Sequence, residues 1–283
     1  MRVKLFRHAW GAVGPDFPWR SLVDLTRSAA EEGYDGVEFS LNDFNKESGN
    51  IEENQAEFRA LLDELNLEFM PLVSTQTEQW HDAKGHLASF KAQIEQLKSW
   101  PVSKACVHAG ADSFDDKTAV SFFKDATLIA RDAGIEPCFE THRQRPFFNP
   151  FRTVRLLEAL PDIQLTADFA HWLPVLERIP YDLEEHFEIC TARTGHIHAR
   201  IGHNEGPQIP DPRDPVWDPF TEIHEKWWDM CVEAAKARGE DIGIAPEFGP
   251  FPYTINLPHT QTPISDLTEI VAWMSERLRQ RYC

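Results

Sequence analysis

Short apolar runs rich in β-branched and aromatic residues alternate along the chain with longer segments of helical periodicity. VKLF (3–6) precedes a helical pattern at 18–32, and DGVEFSL (35–41) precedes one at 51–65. LEFMPLVS (67–74) precedes 83–99, KACVHAG (104–110) precedes 116–133, and IEPCFET (135–141) precedes 150–159. IQLTADF (163–169) precedes 181–191, TGHIHAR (194–200) precedes 220–238, and DIGIAPEF (241–248) precedes 264–280. Strands that alternate with helices pair in parallel, because each crossover needs the length of a helix. Eight strand–helix units close a parallel sheet on itself. The predicted fold is α/β, a single (β/α)8 barrel domain over 1–283. An open, doubly wound sheet is the alternative, but no GxGxxG or GxxxxGK[ST] follows the first strand.

The punctuation agrees with that division. Gly33, Gly134 and Gly239 fall just past predicted helices, where a left-handed residue ends the last turn. Asp115 or Asp116 stands where a side chain caps the helix after strand 4. The longest irregular stretch, 201–219, is rich in proline and follows strand 7 on the face where barrel sites form.

Charge narrows the partners. The net charge is −18, from 28 Lys+Arg against 46 Asp+Glu, and the basic residues do not cluster. Nucleic acid and anionic membrane surfaces both require a cationic stripe, so neither is an expected partner. A small molecule is expected instead. The five cysteines form no CxxC pair, and Cys106 and Cys138 lie in apolar runs. They read as packing residues, not as a disulfide framework. The start, MRVKLFRHAWGAVG, carries no long apolar stretch, and a cytoplasmic location is expected.

Barrel chemistry sits at the C-terminal ends of strands. There the chain offers Glu38, His108, Glu140, His142, Asp168, His171, His196, His198 and Glu247. Seven of these nine fall on strands 5 to 8, which are neighbours in a barrel. Alternation puts Glu140 with His142 on one face, and His196, His198 and Arg200 on another. Three carboxylates, Glu140, Asp168 and Glu247, with one histidine of the HxH pair make an oxygen-rich divalent metal site. The other histidine of that pair reads as a packed core residue. His108 reads equally as a core histidine or a site residue. Glu38 reads as a support for the site or a partner for a barrel cation. Arg143, Arg145 and Arg200 near the mouth are candidates for a substrate carboxylate or phosphate, and Ser74, Thr75 and Gln76 for sugar hydroxyls. Trp227 and Trp228 read as core or interface packing, and the tryptophans of the last helices suggest a homodimer.

These segments together resemble the xylose-isomerase-like barrel superfamily, which holds sugar isomerases, epimerases and endonuclease IV relatives. The matching runs are DGVEFS, CVHAG, CFETHRQR, TADFAHW, GHIHARIGH and APEFGP, spread over essentially the whole chain. The resemblance to the ketose 3-epimerase branch implies one divalent metal (Mn, Mg, Co or Zn) on Glu140, Asp168, His198 and Glu247. It implies Glu140 and Glu247 as the acid/base pair and His171 on substrate oxygens. It implies proton transfer next to a carbonyl through an enediolate, on a sugar or sugar derivative. His108, His142, Arg143, Arg200 and His203 complete the expected substrate contacts. That branch carries an arginine six residues after the metal histidine, where this chain has Asn204, and its strand-5 sequence differs from Glu140-Thr141-His142-Arg143. The endonuclease branch has a strand-3 histidine where this chain reads PLVSTQ. A metal-dependent lyase or hydrolase (a dehydratase) on a keto-sugar or cyclitol is the second expectation.

Overall fold

The computed structural model describes residues 1–47 and 51–283. Eight parallel strands close a barrel in the order β1 to β8. They are β1 (Val3–His8), β2 (Gly36–Phe39), β3 (Glu68–Ser74), β4 (Lys104–His108), β5 (Glu136–Glu140), β6 (Gln164–Ala167), β7 (Thr194–Ala199) and β8 (Ile242–Pro246). Closure is made by β1 pairing with β8 through Val3–Ile242 and Leu5–Ile244.

Helices fill the crossovers: α1 (Leu22–Glu31), α2 (Leu41–Glu47), α3 (Ile51–Leu65), α4 (Ala83–Leu97) and α5 (Asp116–Asp132). They continue with α6 (Pro150–Ala159), α7 (Leu173–Leu176), α8 (Glu184–Thr191), α9 (Asp218–Arg238) and α10 (Leu267–Tyr282). Their ends follow local chemistry. Ser21, Asp82, Asp115, Asn149 and Asp266 each accept a backbone N–H of the following first turn. Gly33, Gly134 and Gly239 hold φ of 75°, 78° and 71°, the left-handed conformation that ends a helix cheaply only for glycine. Two short helices lie outside the predicted pattern. α2 follows β2 directly, and α7 continues a 3-10 turn at Phe169–His171. No helix among the described residues is long and apolar enough to cross a membrane.

Most of the core lies between the strands and the helix ring, with Trp172, Trp228, Phe90, Phe123 and Phe187 fully buried. Inside the barrel a smaller plug of Phe6, Met70, Cys106 and Ala245, with Leu72 against it, forms a floor. Above that floor the interior turns polar, because alternate residues of β2, β5 and β7 point inward as Glu38, Glu140, His196 and His198. Gly243 makes room for this: a Cβ there would lie 2.5 Å from His196 Nδ1 and 3.0 Å from the Phe6 ring.

Candidate metal centre

Glu38 is the first fixed point. It is fully buried on β2, and its two oxygens sit 2.9 Å from His196 Nε2 and 2.9 Å from His198 Nε2. A carboxylate only accepts, so both imidazoles donate Nε2–H to it. Burial raises this carboxyl, but the two imidazoles outweigh it and hold it below the ordinary range. The consequence is a tautomer. With Nε2–H committed to Glu38, His198 turns its Nδ1 lone pair toward Glu247 Oε2 at 2.8 Å and Glu140 Oε2 at 3.5 Å.

Two acceptors facing each other at such distances need a cation between them. His198 Nδ1, Glu140 Oε1 and Asp168 Oδ1 are all buried and lack a hydrogen-bond partner, and buried Glu247 Oε2 is met by the Arg200 guanidinium through an ion pair at 2.7 Å. Asp168, His198 and Glu247 offer ligand atoms that lie within 4.8 Å of one another, and Cys106, Glu140 and His198 form an adjoining set. His198 is the hub of both. Four buried carboxylates, Glu38, Glu140, Asp168 and Glu247, face one guanidinium in this cluster, that of Arg200. The charge, the donors and the unpaired atoms therefore fit a divalent cation.

The protonation states carry the same message. Asp168 is pushed up to about 7 by burial, against the pull of Arg200 and with the push of Glu247 and Glu140. Arg200, which donates from Nε to Asp168 at 3.0 Å and pairs through Nη2 with Glu247 at 2.7 Å, is held more strongly protonated by those same carboxylates, against its burial. Both shifts are upward because three carboxylates share one guanidinium: Arg200 keeps its proton, and the excess negative charge makes Asp168 take one. Glu140 and Glu247 are held well below the carboxylate range although burial alone would raise them. His108 and His198 do this for Glu140, and Arg200, His198 and His8 for Glu247. Burial would lower His198, but Glu247 and Glu38 raise it well above the usual histidine. In the metal-free protein a proton on Nδ1 takes the place of the cation.

Three further histidines surround Glu140. His108 Nε2 contacts Glu140 Oε2. The His142 ring lies 4.8 Å from that of His108 and 3.9 Å from that of His171. His142 donates Nδ1–H to the Arg143 carbonyl, and burial with His108 close by lowers it to about 3. His171 Nδ1 accepts from Arg143 Nε at 3.3 Å, which leaves Nε2–H directed at Asp168 Oδ2, 3.4 Å away. Burial and the neighbouring His142 keep His171 neutral.

The structure thus brings Glu140, Asp168, His198 and Glu247 together with His108, His142, His171 and Arg200. Arg143 is behind them, on His171. His203 is elsewhere. The bridge between His203 and Gly206 turns the loop, and the His203 ring packs 5.1 Å from Trp217, away from the cavity wall. In the same loop Gln208 clamps the backbone of Gly249, accepting its N–H at 2.7 Å and donating to its carbonyl at 3.1 Å. Arg145 is a strut: its guanidinium donates to the carbonyls of Thr75 and Gly110 and lies over Trp80. Thr75 Oγ1 is taken up by His86 and Gly110 N–H. Trp227 and Trp228 are buried within the chain, so they present no face to a second copy. Cys106 packs in the barrel floor as expected, and its Sγ also lies 3.5 Å from Glu140 Oε2.

One site residue is absent from the sequence reading. His8 ends β1, two residues beyond the predicted strand. Its Nδ1 accepts the Trp10 backbone N–H at 3.0 Å, so Nε2 carries the proton. That N–H is buried, has no partner and lies 3.7 Å from Glu247 Oε1. Burial lowers its pKa, and the imidazole stays neutral. The signal was present: Phe6 and His8 share a strand face, and Phe6 is apolar.

A family model described as xylose isomerase-like TIM barrel matches residues 26–218. No curated protein matches the chain. Among solved structures, D-allulose 3-epimerase from Methylomonas sp. in complex with D-allulose is 15% identical, covers 99% of this chain and 98% of its own, and has a TM-score of 0.65. The probable 3-DHS dehydratase of petrobactin synthesis from Bacillus anthracis is 14% identical, with 98% and 99% covered and a TM-score of 0.64. A xylose isomerase-like TIM barrel protein from Mycobacterium smegmatis in complex with magnesium is 14% identical, with 99% and 95% covered and a TM-score of 0.62. At these identities the likeness is one of fold.

Proposed function

The chain belongs to the xylose isomerase-like TIM barrel family, and from that premise we propose that it is a divalent-metal-dependent sugar isomerase or epimerase. The observation that carries this reading is the convergence of buried acceptor atoms from Glu140, Asp168, His198 and Glu247, those of the first three without a hydrogen-bond partner. These four would hold the metal, His198 through Nδ1. Bound there, a Mn²⁺, Mg²⁺, Co²⁺ or Zn²⁺ ion supplies Lewis-acid polarisation of a carbonyl and offsets the carboxylate charge.

The rest is the work of side chains. Glu140 and Glu247 stay ionised, so one can remove a proton from the carbon beside the carbonyl. For isomerisation the same residue returns that proton to the neighbouring carbon. For epimerisation the other glutamate takes a proton from water and delivers it to the opposite face, while the first releases its own to solvent. His8 Nε2–H and the unpartnered Nη1 of Arg200 donate to the oxyanion that develops. His171 Nε2–H holds a substrate oxygen. The ligand class is a sugar or sugar derivative, as for the D-allulose of the Methylomonas enzyme.

A dehydratase is the second reading. His108, in contact with Glu140, is able to protonate a departing hydroxyl, and the Bacillus anthracis neighbour carries that title. Incubation of the Mn²⁺-loaded protein with ketoses and keto-sugars in D2O separates the two. One deuterium gained per turnover, without loss of mass, is expected. Loss of water would favour the dehydratase. Neither change in a broad panel, with metal bound, would overturn both.

A further inference from the structure

A cavity of about 480 Å³ reaches the carboxylate cluster at one end, where Glu247 lines it. At that end the wall is His8, His108, His142, Arg200 and Glu247. Away from it the wall is Val13, Phe17, Leu22 and Phe39 with Trp10, and its polar members there are Ser40 and Asp43. One sugar ring that reaches the carboxylates leaves the second half of this space unfilled.

The apolar half is built, not collapsed onto. The chain leaving β1 turns at Gly11, whose φ is 74°, and folds back as a small hairpin in which Gly14 N–H donates to the Trp19 carbonyl at 3.0 Å. Trp10 lies flat on the backbone of the β8 loop: a Cβ on Gly249 would fall 2.0 Å from the indole. Tyr253 meets it edge-on at 4.8 Å, and the Arg200 guanidinium lies over both rings, at 5.2 and 4.8 Å. On the far side Phe39 is wedged against Phe58 and Phe69. Preformed apolar wall in contact with water is recovered on binding in proportion to the apolar area covered. Beyond Phe17 and Pro250 an open groove of about 990 Å³ runs on past Phe251 and Ile264, so a long substituent has an exit.

We propose that the substrate is a glycoside of a keto-sugar, with its carbonyl on a ring carbon other than the anomeric one and an apolar alkyl or aryl group on the anomeric oxygen, and that Val13 and Phe17 select for it. This rests on the sugar reading above, and it adds the second half of the substrate. The reacting end sits at Glu140 and Glu247, and the aglycone lies beyond Trp10.

Calorimetric titration of the Mn²⁺-loaded protein tests the proposal without requiring turnover. The probes are phenyl and methyl glucosides of both anomers, with cellobiose and maltose as two-ring sugars. The phenyl glucoside of one anomer is expected to bind about tenfold tighter than its methyl counterpart. Val13→Asp and Phe17→Ala, both at half-buried positions in the loop after β1, are expected to cut that ratio to about threefold or less with metal content unchanged. Equal binding of phenyl and methyl glucosides overturns the proposal, as does no binding of either with metal present. So does a phenyl preference that survives both substitutions. Tighter binding of cellobiose or maltose than of the phenyl glucoside overturns the apolar class in favour of a second sugar. Failure of the metal reading is separate: it shows as absence of Mn²⁺ on the protein before any sugar is added.

Discussion

A single carboxylate determines how the site is read. Glu38 binds nothing from outside, yet it decides which nitrogen of His198 faces the other carboxylates. Glu38→Gln keeps the shape but offers one acceptor oxygen where there were two, and its amide donates. One of the two imidazoles must then lose its partner or turn. Metal affinity, measured by Co²⁺ titration, is expected to fall about 10–100-fold with the fold retained. An unchanged affinity would show that the Nδ1 orientation is set by something else. His8 makes the complementary case. We read it as a donor into the cavity and not as a ligand, although it lies within ligand reach of Glu38 and His198, so His8→Phe is expected to keep the metal and lower kcat by about 10²-fold. Metal loss in that variant would move His8 into the ligand set. The two residues were legible to different degrees. Glu38 stood at the end of a clear apolar strand, and its supporting role followed from chemistry. His8 was hidden because Arg7 breaks the apolar run. Strand length was read from composition, although β1 extends through the arginine, whose side chain lies between Trp19 and the barrel wall.

The order of elements was legible, since eight short apolar runs alternate with segments of helical period and no GxGxxG or GxxxxGK[ST] supported the open doubly wound sheet. What escaped was placed by contacts between distant segments. α2 and α7 are short and carry no pattern of their own, and His203 was assigned to the site from its loop alone. The loop turns it onto Trp217 instead. Close approaches between elements were also invisible, because a glycine does not announce what lies against it. Gly36 and Gly249 show the difference in kind. A Cβ on Gly36 would meet the Glu68 carbonyl at 2.4 Å on one side and the Phe6 ring at 2.5 Å on the other. Backbone on a neighbouring strand cannot give way, so Gly36→Ala is expected to cost about 1–3 kcal/mol in urea unfolding. A Cβ on Gly249 meets only the movable indole of Trp10. Gly249→Ala is therefore expected to leave stability closer to wild type, while it displaces Trp10 and with it the Arg200 guanidinium. Equal destabilisation by the two would mean that the Trp10 loop is as rigid as the barrel.

For the molecule as a whole, the site stores a conflict that metal resolves, and pH exposes it. Asp168 titrates near 7 in the folded, metal-free chain and near 4 when unfolded. Between those values the folded state binds more protons, so the contribution of Asp168 to stability is present at low pH and lost as pH rises through about 7. His198, also raised, acts in the same direction above its unfolded value. The depressed histidines His8, His142 and His171 act the opposite way, but their window closes by about pH 7.5, where an unfolded histidine has released nearly all of its proton. The depressed carboxyls Glu38, Glu140 and Glu247 matter only in acid. Above about pH 7.5 the chelated protein should therefore lose thermal stability as pH climbs to about 8.5, chiefly through His198, and Asp168→Asn should remove the part of the loss that falls below about pH 7.5. Metal requires Asp168 and His198 Nδ1 without protons, so its affinity must rise over the same interval. Scanning calorimetry with EDTA and with saturating Mn²⁺ reads both at once. The Tm is expected to drop with pH in the first series, and the gap between the two series to widen. Parallel curves would mean that the divalent ion does not displace protons from these residues, and that the four converging side chains are not where it binds.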